Sequence, residues 1–352
     1  MRATRVHHDW AFLPLRDCGQ WLSGGTPSTE NAGYWGGDIP WITASSLHNF
    51  HIETSERKLT PLGLENGSKL VPRDSILFVV RGMSLKSEFR VGITRRPVAF
   101  GQDCKAIIPT DRTNPLFLAY ALRGKAEEIL GLVDEAGHGT GRLQTDLLQK
   151  LMIPIPPLAE QRAIASALGV LDDKIELNHQ MDEALEALAR TIFKNWFIDA
   201  AIKLPKGWRT SQLGKHVEVT KGLSYKGSGL ADAGVPLHNL NSVYEGGRYK
   251  HEGLKHYTGE YRDRHIIHPG DVIVANTEQG FDHLLIGYPA IVPKRFGKFG
   301  LFTHHIYRVR PLPDSSLTNH FIYLLLLSAD VREQVIGHTN GTTVNALAKS
   351  GI

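Results

Sequence analysis

Apolar residues in two long regions of the chain come in short β-branched runs opened by turn residues. "DSILFVV" (Asp74–Val80) and "RVGIT" (Arg90–Thr94) represent the first region, "DVIVAN" (Asp271–Asn276) and "LIGYPAIV" (Leu285–Val292) the second. Runs of this length, punctuated by Gly and Pro, predict strands. Each region then ends in a helical pattern, "PLFLAYALRGKAEEIL" (Pro115–Leu130) and "NHFIYLLLLSADVREQVI" (Asn319–Ile336). The predicted unit is a mostly-β globule with one or two helices at its C-terminal end.

Between the two regions the period changes. Pro156 and Pro157 suit the first turn of a helix, where no intrahelical N–H is needed, and Glu160 sets a carboxylate near the positive end of its dipole. No further proline follows before about Ala200, which predicts a rod of about 60 Å at 1.5 Å per residue. Apolar positions fall at Ile164, Leu168, Leu171 and Ile175, then at Met181, Leu185, Leu188 and Ile192, spaced 4-3-4 within each group as in a coiled-coil seam. The groups are six residues apart, so the seam slips by one position. Asn178, three residues after Ile175, either fixes register against a partner helix or is a surface asparagine at the slip. Phe193, Trp196 and Phe197 at the far end either pack on the second globule or face an outside protein.

The two regions are degenerate copies of one another. "IPWI" (Ile39–Ile42) matches "VPLH" (Val235–His238), and "VPRDSILFVV" (Val71–Val80) matches "IHPGDVIVAN" (Ile267–Asn276), aligning Asp74 with Asp271. The Gly-His pair at Gly137 returns at Gly337. Common order and near-constant offset argue for duplication. The organisation expected is α+β: two tandem mostly-β domains, residues 1–156 and 201–352, joined by a long coiled-coil-forming helix over 157–200. The second copy ends at Ile352, where the first runs on into "PIPPLAEQ", so a second helix of this kind is expected to be absent.

Charge sharpens this division. Residues 1–156 carry 18 Lys and Arg against 16 Asp and Glu, net +2; residues 157–200 carry 4 against 8, net −4; residues 201–352 carry 18 against 12, net +6. Basic globules flanking an acidic connector suit polyanion binding by the globules. No run of 18 apolar residues exists to span a membrane, and the N-terminus lacks a secretory pattern. With only Cys18 and Cys104, a disulfide framework is not expected and a reducing cytoplasm is the expected location.

Catalytic patterns are missing: no Walker-type phosphate loop, no dinucleotide fingerprint, no Asn-Pro-Pro-aromatic tetrapeptide. Among 17 histidines, His265 with His268 and His304 with His305 lack companions at zinc-ligand spacing, and no metal is expected. Asp74 and Asp271 each open a strand after a Pro-containing turn, which favours turn-capping over catalysis.

"IPIPPLAEQRAIASALGVLDDKIELN" (Ile153–Asn178) followed by "ALARTIFKNWF" (Ala187–Phe197) resembles the central conserved region of specificity subunits of type I restriction-modification systems. "SGGTPS" (Ser23–Ser28), "IPWI", and "LPKGW" (Leu204–Trp208) with Leu213 and Gly222 resemble the openings of that family's target-recognition domains. The resemblance covers essentially the whole chain. It implies a non-catalytic subunit in which each globule reads one half of a bipartite double-stranded DNA target. The helix would set the spacing and dock modification (methyltransferase) subunits, with restriction subunits joining through the complex. It also implies that S-adenosylmethionine, ATP and magnesium belong to those partners and that the chain needs no cofactor of its own. The family has two such helices, so the seam here would lack an intrachain partner: either the chain is a truncated form or another chain supplies that helix, self-association through the seam being one hypothesis. The rivals are a coiled-coil scaffold whose globules read no DNA and, with less support, a standalone nuclease or methyltransferase.

Base reading needs paired donors and acceptors on exposed loops, with Lys and Arg also holding phosphates. Candidates in the first globule are Ser45, Ser46, His48 and Asn49 in "TASSLHN" and Arg81, Ser84, Lys86 and Arg90 in "RGMSLKSEFR". In the second they are Lys221, Ser224, Tyr225 and Lys226, then His238, Asn239 and Asn241, then Thr277 and Gln279. The segments His138–Gln144 and His338–Thr343 recur between copies, which favours a shared structural or phosphate role there.

Overall fold

A computed structural model describes residues 10–136, 140–280, 282–341 and 344–352. The chain forms two compact units, Met1–Asn178 and His179–Ile352. Their boundary falls inside a helix that runs without interruption over Leu158–Phe193. Each unit thus includes its own stretch of that helix.

In the first unit a five-stranded sheet is ordered Gly19–Ser23, Cys104–Pro109, Ile76–Val79, Val91–Thr94, His51–Ile52. Ile76, Leu77, Phe78 and Val79 on its central strand are fully buried, which explains why that run reads as continuously apolar rather than alternating. A four-stranded sheet contains Trp35–Ile42 beside the parallel strand Val98–Phe100, and a three-stranded sheet joins Arg81–Gly82 to the hairpin Val133–Ala136 and Thr140–Leu143.

The second unit repeats the core of this plan. Val217–Lys221, Ile306–Pro311, Val272–Ala275 and Pro289–Ile291 rebuild the first four strands of the five-stranded sheet in the same order, and Val235–His238 lies parallel to Gly300–Phe302. Register fixes the correspondence. Phe100 faces Ile42 across a parallel pair, as Phe302 faces His238. Gly101 N–H donates to the Ile42 carbonyl at 2.8 Å, and Thr303 N–H to the His238 carbonyl at 2.9 Å. Gly24 and Gly222 also coincide: a Cβ on Gly24 would stand 2.2 Å from the Gly101 carbonyl oxygen, and one on Gly222 would stand 2.4 Å from those of Phe302 and Thr303. Only glycine permits so close a crossing of two backbones.

One sequence alignment needs correction. Ile76 pairs with Ile107 and Ile93, and Val272 pairs with Val309 and Ile291, so these two residues are equivalent. Asp74 therefore corresponds to Gly270, both at positive φ (65° and 90°), and Asp271 corresponds to Ser75. Ser75 Oγ donates to the Pro72 carbonyl at 2.8 Å, whereas the Asp271 carboxylate accepts from His268 N–H at 2.7 Å and pairs with Arg310. The two aspartates do different structural work one position apart.

The helix start is held by a side chain. Gln161, 1% exposed, accepts from Asn114 N–H at 2.8 Å and donates to the carbonyls of Pro156 (2.8 Å) and Arg112 (3.2 Å). Asn114 in turn caps the helix Pro115–Gly124 by accepting from Phe117 N–H at 2.9 Å. Two helix origins are joined through one amide. Gln161→Ala strands a buried N–H and two carbonyls, and it is expected to cost about 1–3 kcal/mol, measured as a lower denaturation midpoint of the first unit.

Candidate nucleic-acid interface

In the first unit the candidate loops lie against one another. Arg90 Nη1 donates to the Ala44 carbonyl at 3.3 Å, and a Cβ on Gly82 would touch Ala44 at 3.6 Å. Arg90 is therefore a strut between loops, paired at 2.9 Å with Glu88. Ser46 is also committed, its Oγ accepting from Thr43 N–H at 2.9 Å within a Thr43–Ser45–Ser46 hydroxyl cluster. Ser84 is half-buried, with a buried Oγ that has no partner. Ser45, His48, Asn49, Arg81 and Lys86 are exposed. Between them stands Met83, 63% exposed, an apolar side chain that the search for hydrogen-bonding residues passed over.

The second unit divides its candidates more sharply. Lys221, Ser224, Lys226, Asn241 and Gln279 are exposed. Tyr225 is half-buried and its hydroxyl accepts from Lys255 Nζ at 3.3 Å. Thr277 Oγ1 and His305 Nδ1 share a 3.0 Å hydrogen bond. His238 and Asn239 have to be withdrawn as base readers. His238 is 1% exposed and its Nδ1 is 2.6 Å from Tyr249 Oη; it fills the core position that Ile42 fills in the first unit. Asn239 is buried, accepting from Asn241 N–H (2.8 Å) and donating to the Gly253 carbonyl (2.6 Å). In this loop-like string Asn239 caps a turn and His238 ends a buried strand, so neither polar side chain faces solvent.

Below Gln279 a buried frame holds the loop beyond it. The Glu278 carboxylate accepts from the backbone N–H groups of Leu284 (2.9 Å), Leu285 (3.3 Å) and Ile286 (3.0 Å). Buried Arg332 donates to the carbonyls of His283 and Ile286 while lying 3.6 Å over the Tyr288 ring. Nothing in the sequence marks either charge: Arg332 meets backbone 46 and 49 positions away, and Glu278 meets the N–H groups of a loop six to eight residues on.

Equivalent positions differ in chemistry. Leu143 N–H donates to the Val80 carbonyl, and Leu347 N–H to that of Asn276, both at 2.8 Å, which aligns Arg81 with Thr277 and Arg142 with Ala346. The recurring segments at His138 and His338 lie partly outside the described residues; Gly137–Gly139 and Thr342–Thr343 are not among them.

On the helix, Ile164 packs partly on the first core, while Leu168, Leu171 and Ile175 on the first unit's stretch are 38%, 61% and 54% exposed. Val170 and Leu177, outside the 4-3-4 pattern, are exposed beside them. On the second unit's stretch Met181, Leu185, Leu188 and Ile192 are exposed too, and so is Asn178 at the end of the first stretch. Polar side chains beside this stripe bind the helix to each globule. Asp172 accepts from Tyr120 Oη (2.9 Å) and Arg123 (3.0 Å) in the first unit; Glu186 meets Arg248, Arg190 and Tyr323 in the second. Phe193 is buried and Phe197 half-buried against Phe321, each ring 5.0 Å from it, while Trp196 stays 65% exposed.

Among the described residues no group of three His, Cys, Asp or Glu side chains could hold a metal, and no helix is long and apolar enough to cross a membrane. The ring centres of His304 and His305 lie 3.9 Å apart, the ring planes tilted by 40°.

The first unit with its helix matches a known family. The model of the type I restriction modification DNA specificity domain matches residues 7–187, just over half the chain, and the chain belongs to that family. It is 33% identical over 237 residues to the type I restriction enzyme MjaIX specificity subunit of Methanocaldococcus jannaschii, covering 62% of this chain and 54% of that one. It is 29% identical over 160 residues to the EcoR124I/EcoR124II specificity subunit of Escherichia coli, covering 45% of this chain and 40% of that one. The chain thus spans about half the length of these relatives. The crystal structure of a type I restriction-modification S subunit from M. genitalium superposes with a TM-score of 0.55 at 16% identity, over 95% of this chain and 82% of that one; this likeness is one of fold.

Proposed function

We propose that the chain is a non-catalytic DNA-sequence-reading subunit of a type I restriction-modification complex, each unit reading one half of a bipartite duplex target. The observation that carries this is the contrast between the copies. The buried pairing registers repeat, whereas the exposed position on an equivalent turn changes from Ser45 to Asn241, the turn being closed alike by Thr43 N–H to Ser46 Oγ and by Asn239 N–H to Ser242 Oγ. A shared frame with divergent polar faces suits two readers of different sequences, since base contacts specify while the frame only presents them. A scaffold with no nucleic-acid role leaves that divergence unexplained.

The recognition domains run to about residue 156 and from about residue 201, with residues 157–200 as the connector. Ser45, His48, Asn49, Arg81 and Lys86 face DNA from the first domain; Lys221, Ser224, Tyr225, Lys226, Asn241, Thr277 and Gln279 face it from the second. The exposed helix seam, Ile164 to Ile192 through Asn178, takes a second helix, supplied by a second copy of this chain, and modification subunits dock on that frame with restriction subunits joining through them. S-adenosylmethionine, ATP and magnesium act on those partners, in the cytoplasm.

Co-expression with a modification subunit in a host lacking adenine methylation, followed by genome-wide mapping of methylated adenines, tests this. A split motif supports two readers; co-purification without any methylated motif contradicts sequence reading by this chain. Within such a motif, Gln279→Ala is expected to lose about 1–3 kcal/mol for the second half-site only, measured by competition between cognate and half-site-substituted duplexes.

A further inference from the structure

The first unit carries a concave site that its copy lacks. Strand Arg81–Gly82 pairs with Thr140–Leu143 so that Arg81 stands directly opposite Arg142. The same hollow is walled by Lys105 on the neighbouring sheet, with Gln102, Asp103 and Thr145. Like charges directly opposite across two strands are destabilising. Among the described residues none of the three cations is in an ion pair, although Lys105 Nζ donates to Ser23 Oγ at 2.8 Å. The second unit shows that the fold does not require them. Arg81, Arg142 and Lys105 become Thr277, Ala346 and Tyr307, and Tyr307 closes the place by donating its hydroxyl to the Leu347 carbonyl at 2.8 Å.

We propose that Arg81, Arg142 and Lys105 form a phosphate-binding site, whose ligand is a backbone phosphodiester of the duplex on the first unit. This rests on the DNA-reading function above and extends it to the backbone. Two guanidinium forks and an ammonium supply the planar, bidentate donors and point charge that a tetrahedral oxyanion takes. The repulsion between the two arginines is then relieved on binding. Arg81 thereby positions the first unit on the backbone rather than reading a base edge, and the site adds to the salt dependence of DNA binding.

The test uses the full chain in two assays. Inorganic phosphate, compared with chloride at equal ionic strength, is expected to raise the melting temperature of the wild type and not that of Arg142→Ala or Lys105→Ala. In duplex binding across a salt series, Arg142→Ala is expected to weaken every sequence by the same factor, about tenfold, and to make the log–log salt slope shallower by about one. Arg142→Lys, which keeps the charge, should retain most of the slope. An unchanged slope with no phosphate effect overturns the site; a loss confined to one sequence overturns it in favour of base reading. A phosphate effect abolished by Arg142→Ala in a chain that binds no duplex identifies free phosphate as the ligand and refutes the DNA-reading function instead.

Discussion

Glutamate at Leu171 and Leu185 together is expected to abolish pairing of the long helix with a second helix while leaving the melting temperature of the isolated chain unchanged. Both leucines stand in solvent, 61% and 57% exposed, so folding gains little from them and loses little when they go. Their row continues at seven-residue spacing through Ile164, Leu171, Asn178, Leu185 and Ile192. In a helix pair such positions are enclosed, and an unpaired carboxylate there costs several kcal/mol, about a hundredfold or more in association. Sedimentation over a micromolar concentration series reads the outcome. A wild type that remains monomeric removes self-pairing, and a variant that associates as well as the wild type moves the contact off this stripe.

The second large effect is acid lability of the second unit. Burial pulls His238 from the ordinary imidazole value down to about 4. In the unfolded chain the ring takes its proton near pH 6.5, so between these values the unfolded state binds more protons. The stability held by the neutral ring is complete above pH 6.5 and is lost as pH falls toward 4, by about 3 kcal/mol at the lower end. The first unit has Ile42 in the same place, a side chain that takes no proton. His238→Ile should lie below the wild type at pH 7, because Tyr249 loses its hydrogen bond, and converge on it or cross it by pH 4.5. Parallel curves in denaturant titrations at the two pH values would sink this account.

How far the sequence could be read depended on what each residue's signal was. The rod, the duplicated strands and the terminal helices were legible because periodicity and turn residues are local: Leu158–Phe193, Ile76–Val79 with Val272–Ala275, and Pro115–Gly124 follow from them. The alignment of Asp74 with Asp271 slipped by one because identity outweighed the φ > 0 requirement that Asp74 shares with Gly270. His238 and Asn239 misled for a related reason. A core position filled by Ile in one copy and His in the other is visible only through register. Lys105 and Arg142 carried no sequence signal as a pair, since the strand pairing that brings them to Arg81 spans about 60 positions on one side and about 25 on the other.

Glu278 and Arg332 have a consequence for how such a chain can change. Both bind the loop after Gln279 through its backbone N–H and carbonyl groups, which every amino acid except proline supplies in full. Exposed side chains on that loop are therefore free to be exchanged without disturbing the bonds that hold it. For a chain with the proposed DNA-reading function, new specificities would be reachable by single substitutions that pass through folded intermediates, and a lineage could explore targets without first repairing its scaffold.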